Sequence, residues 1–131
     1  MDKPQELQFE LMKLATFNEF DGEQVVKALK GNPELWTGAL MTRGSYARPD
    51  SEGYSDVTDL ISLRDLPDYW NVDTLFITPK AGKLDELEAL AKTWNADEVD
   101  WYGGEQACQM IGSYSPEGRA NLKQILRIWW D

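Results

Sequence analysis

The chain has 131 residues, with 13 basic and 23 acidic side chains and no histidine, so its formal net charge is −10 at pH 7. A hydrophobic content of 42%, including six Trp, five Tyr and four Phe, is enough for a core and excludes an acidic disordered tail. Without an imidazole, Ser-His-Asp and Cys-His catalysis, HExxH and deaminase zinc sites and histidine pH switches are all excluded. A single cysteine, Cys108, cannot close an internal disulfide or build a cysteine-rich zinc site.

In chain order, the opening MDKPQELQFE is polar and lacks the apolar stretch of a secretory signal, so the cytoplasm is the expected compartment. Residues 8–15 fit two descriptions, a strand with Phe9, Leu11 and Lys13 alternating or a short helix. A helix then starts at Asp21, an N-cap with Gln24 three residues on. Val25, Val26 and Leu29 form its apolar stripe, and Gly31 and Pro33 stop it. Residues 35–43 read as a strand weakened by Gly38. Residues 44–59 form the longest irregular stretch, rich in turn formers, and 60–66 a short strand or turn closed by Pro67.

A strand is expected over 73–78, ended by Pro79 and Gly82. The strongest helix covers 83–94, with Leu84, Leu87, Leu90, Ala91 and Trp94 on one side and Asp85 and Glu86 in its first turn. Residues 98–102 read as a strand. Gly103 and Gly104 then turn into a short helix faced by Ala107, Met110, Ile111 and Tyr114. Residues 122–130 are expected to be a strand with Leu126, Ile128 and Trp130 on one side, buried at the end of the chain. From residue 73 onward the order is β-α-β-α-β. With the N-terminal portion this gives a single-domain α+β fold, a sheet covered by helices.

The chemistry-bearing motifs are few. Gly82-Lys83 lacks the rest of a P-loop, and Gly103-Gly104 reads as a tight turn flanked by Asp100 and Glu105, which repel phosphate. There is no Ca²⁺-loop pattern, and no cofactor, metal ligand set or catalytic residue is assigned. Cys108 has Glu105 nearby and no neighbouring cation in sequence, the setting of a structural thiol. No apolar run is long enough to cross a membrane.

The charge is strongly segregated. Residues 50–73 carry Asp50, Glu52, Asp56, Asp59, Asp65, Asp68 and Asp73 against Arg64 alone, net −6. Residues 85–105 carry Asp85, Glu86, Glu88, Asp97, Glu98, Asp100 and Glu105 against Lys92 alone, again net −6. The remainder sums to +2. Direct nucleic-acid binding is therefore disfavoured, and a basic partner protein, itself nucleic-acid-binding, is the expected target. The expected function is a small non-enzymatic inhibitor of the immunity or antirestriction type, whose carboxylates occupy a site that normally holds phosphates.

The candidate contact residues are Tyr46, Arg48, Asp50, Glu52, Tyr54, Asp56 and Asp59 in the irregular stretch, Asp68 with Trp70, and Asp97, Glu98 and Asp100 on the later strand. Two alternatives stand beside this reading. One is a carboxylate- or metal-dependent enzyme that works without histidine. The other is an assembly subunit with Trp70 or Trp129 exposed at an interface.

Overall fold

The computed structural model describes residues 1–43, 70, 72–104, 106–107 and 124–131. Helix α1 (Lys3–Lys13) carries its proline in the first turn, where a missing N–H leaves no helical bond unmade. Residues 8–13 thus belong to a helix that starts well before them, and the strand alternative is set aside. Phe9 and Met12, three residues apart, share its buried face. Strands β1 (Thr16–Phe17) and β2 (Phe20–Asp21) pair as a small hairpin, with Asn18 in its turn at φ 52°.

Helix α2 (Gly22–Gly31) begins at the expected cap, where Asp21 Oδ1 accepts a hydrogen bond from the Gln24 N–H at 3.2 Å. A side chain at Gly22 would collide with the Met12 carbonyl, so glycine lets α2 start directly against the end of α1. The larger sheet comprises β3 (Trp36–Thr42), β4 (Thr74–Pro79), β5 (Glu98–Gly103) and β6 (Gln124–Trp129). Its order is β3-β4-β6-β5, and every neighbouring pair is antiparallel. Gly38 marks a register shift in β3. Between β4 and β5 lie α3 (Leu84–Ala91) and a 3₁₀ turn (Lys92–Trp94), which Asn95 ends in the left-handed region at φ 57°. The fold is α+β.

Pairing register explains the core. Ala39, Ile77, Leu126 and Trp101 line up across the four strands, and Met41, Leu75, Ile128 and Val99 form the adjacent row. Both rows face the helices and pack with Phe9, Met12, Val25, Leu29, Leu87, Ala91 and Trp94. Trp36 Nε1 donates to the Leu29 carbonyl at 2.7 Å, and Trp130 Nε1 donates to the Trp94 carbonyl at 3.0 Å. These bonds let two large rings be buried with no indole N–H left unsatisfied. On the opposite face, Phe76 and Ile125 meet Ala107 in a smaller cluster. Gly104, at φ 63°, makes the turn from β5 toward Ala107, a conformation that glycine adopts freely.

The expectations for 44–59 and 60–66, for Cys108, and for Met110, Ile111 and Tyr114 fall outside the described residues.

Candidate functional site

Alternation along β5 separates two kinds of residue. Val99 and Trp101 pack toward the helices, so Glu98 and Asp100 emerge on the other face of the sheet, both exposed. Two positions along one strand are about 6.7 Å apart, a separation held by the backbone. The β5–β6 register sets Arg127 directly beside Asp100. Its Nη1 lies 2.9 Å from Glu98 Oε2 and 3.8 Å from Asp100 Oδ2. The Arg127 side chain is only 17% exposed, against 50% and 51% for its two partners, so the cation is the anchored member of the trio. The guanidinium also sits 6.0 Å from the Trp129 ring centroid.

Asp97 precedes the strand and is exposed. Its Oδ2 accepts the Asp131 N–H at 2.7 Å, and its own N–H donates to the Trp129 carbonyl at 2.9 Å. Asp97 therefore ties the residues that follow β6 to the start of β5.

The acids of α3 stand elsewhere. Glu88 Oε1 accepts the Trp101 indole N–H at 2.9 Å, which places Glu88 on the helix-covered side of β5. Lys92 Nζ lies 3.3 Å from Glu88, Lys83 Nζ lies 3.2 Å from Glu86, and Asp85 and Glu86 are exposed. The described acids of the 85–105 segment are thus divided by the sheet into two patches. On α1, a hydrogen bond from Lys13 at 2.7 Å, helped by the charges of Lys13, Lys30 and Lys3, holds the Glu10 carboxyl below the usual carboxylate range.

Of the residues singled out from the sequence, Tyr46, Arg48, Asp50, Glu52, Tyr54, Asp56, Asp59 and Asp68 lie outside the described residues. Trp70 is half-buried against the core, and its indole N–H is buried without a partner among the described residues. Trp129 is half-buried on β6 beside Arg127. The structure brings Asp97, Glu98 and Asp100 together at one end of the sheet.

Sequence reasoning missed Arg127, because its pairing with β5 depends on strand register. It also missed Leu7, Leu11 and Leu14, which are 53%, 39% and 71% exposed. Their i, i+4, i+7 spacing draws an apolar stripe along α1 and its C-terminal cap Leu14, opposite Phe9 and Met12, a signal legible once the helix is granted.

Among the described residues, no three carboxylate or cysteine side chains converge as metal ligands. Among the described residues, an open hollow of about 370 Å³ lies beside Asp2, Trp36 and Lys80 and another of about 260 Å³ beside Leu40, Phe76 and Ile125. Neither is lined by two carboxylates. No helix among the described residues is long and apolar enough to cross a membrane. No protein-family model matches the chain, and neither a curated protein nor a solved structure does.

Proposed function

We propose that this is a non-enzymatic binding protein that sets its carboxylates against a basic, nucleic-acid-binding partner protein and thereby inhibits it. The observation that carries this reading is the segregation of charge, net −6 in each of two segments and +2 in the rest. In the second segment Glu98 and Asp100 are exposed on one face of β5 with Asp97 just before it, while Asp85 and Glu86, the latter paired with Lys83, are exposed on α3 in the separate patch on the other side of the sheet. Arg127 holds Glu98 and Asp100 in place, and a partner's cation has to share these carboxylates with it. Carboxylates at fixed spacing can fill positions that phosphates would take, and the net charge speeds encounter with a basic surface.

The test is affinity capture on the tagged chain at low and high salt, with mass spectrometry of what is retained. A specific nucleic-acid-binding protein whose recovery falls as salt rises is the expected result. Capture of no basic protein at either salt would overturn the proposal.

The leucine stripe of α1 favours a second reading, an assembly subunit whose interface is Leu7, Leu11 and Leu14 instead of tryptophan. That reading requires a solution mass above the single chain, reduced by Leu7→Gln with Leu11→Gln.

A further inference from the structure

β3 is an outer strand: β4 pairs with one side, and no strand pairs with the other among the described residues. Three of its outward backbone groups are nevertheless occupied. Gln5 Nε2 donates to the Ala39 carbonyl at 2.8 Å, while Gln5 Oε1 accepts the Ala39 N–H at 2.9 Å. Gln8 Oε1 accepts the Met41 N–H at 3.1 Å. The Gln5 amide thus exchanges with Ala39 the same donor–acceptor pair that a residue of a fifth, antiparallel strand would exchange.

Helix and strand geometry explain why glutamine is needed. Residues three apart on a helix rise about 4.5 Å, whereas alternate residues of a strand are about 6.7 Å apart. Only long, rotatable side chains can match both spacings. The strand itself, WTGALMT, has no charge and no proline, and Leu40 leaves it 47% exposed on the outer face. From Ala39 onward, past the irregularity at Gly38, it carries neither a charge nor a proline to oppose strand addition at its edge.

We propose that α1 closes this edge, the amides of Gln5 and Gln8 holding the positions to which β3 of a second copy of this chain would otherwise add. The second copy is the fitting occupant because antiparallel pairing about a two-fold axis is self-complementary, and one change opens both edges at once. This inference is independent of the acidic-surface reading, since β3 carries no carboxylate.

The experiment uses the full chain carrying Gln5→Ala with Gln8→Ala, read by light scattering across concentration and by hydrogen exchange at the Ala39 and Met41 amides. In the parent both amides are protected. In the variant the mass should rise with concentration to at least twice the parent value. Dilution should then speed exchange at Ala39 and Met41 about tenfold, the loss expected for a bond worth roughly 1.4 kcal/mol. Adding Ala39→Pro, which removes the outward N–H at an edge position, should restore the parent mass. Gln5→Asn keeps the amide but shortens its reach and should act in the same direction as Gln5→Ala.

A folded double variant whose mass does not change with concentration overturns the proposal, as does association that survives Ala39→Pro. Fast exchange of Ala39 and Met41 in the parent would do so as well. Where the double variant fails to fold, Gln8→Ala alone is read by hydrogen exchange: Met41, freed of Gln8, should exchange faster while Ala39, still held by Gln5, stays protected, and unchanged exchange at Met41 overturns the proposal.

Discussion

Among the described residues, the two outer strands of the sheet solve one problem in opposite ways. β3 is uncharged and has three of its edge backbone groups bonded by two neutral amides from α1. β5 instead carries Glu98 and Asp100, exposed and steadied by Arg127 of the neighbouring strand. Satisfying the backbone closes an edge by leaving nothing to bond. Placing like charges on it makes the approach of another such strand costly. The first solution withdraws β3 from contact, and the second leaves a charged surface exposed. That surface is the described part of the charge pattern on which the proposed function rests.

The comparison presupposes that the central strands β4 and β6 are firmly held, and the largest expected effect tests that. Trp130 is fully buried, its ring 4.6 Å from that of Phe20 and its N–H on the Trp94 carbonyl. Trp130→Ala should lower stability by about 3–5 kcal/mol in urea unfolding. A loss below about 1 kcal/mol would mean that the residues after β6 do not clamp the sheet.

Next comes the charged end. Arg127→Met leaves Glu98 and Asp100 adjacent without their cation and should cost about 1–2 kcal/mol. The cost should shrink as added salt screens the two carboxylates. A cost unaffected by salt would assign Arg127 a packing role only.

The smallest effect is expected at α1. Glu10 has its carboxyl pKa lowered by Lys13, so its contribution is present above the ordinary carboxylate range and is lost as pH falls through the lowered value. Because Glu10 is fully exposed, Glu10→Gln should leave the melting temperature at neutral pH almost unchanged. Whatever small difference from the parent exists should vanish on acidification. A difference that grew toward low pH would reverse the assigned sign.

Much of the fold was legible from single residues. Asp21 with Gln24 announced the start of α2, and Leu87, Ala91 and Trp94 announced the buried side of α3. Leu126 and Ile128 gave the inward face of β6. α1 resisted because its inward side mixes Phe9 and Met12 with Gln5 and Gln8, while three leucines point to solvent. Apolar residues therefore lie on both sides of the helix, and no single apolar face marks which side is buried. The glutamines make sense only once β3 lies alongside, a contact spanning more than thirty residues of sequence. The candidate site was half visible for a similar reason. Glu98 and Asp100 share a face by strand alternation alone, but Arg127 joins them through a register that sequence does not display. The division of the acids by the sheet also needed Trp101 to be placed against Glu88.

The most direct test of the acidic-surface reading compares the parent chain with the variant carrying Asp97→Asn, Glu98→Gln and Asp100→Asn. Both are tagged and used for capture at low salt, with and without competing double-stranded DNA or RNA. The account expects the parent to retain a nucleic-acid-binding protein that one of these competitors displaces, and the variant to lose it. Equal retention by parent and variant would contradict the part assigned to Asp97, Glu98 and Asp100, and retention indifferent to both double-stranded DNA and RNA competitors would contradict the account as a whole.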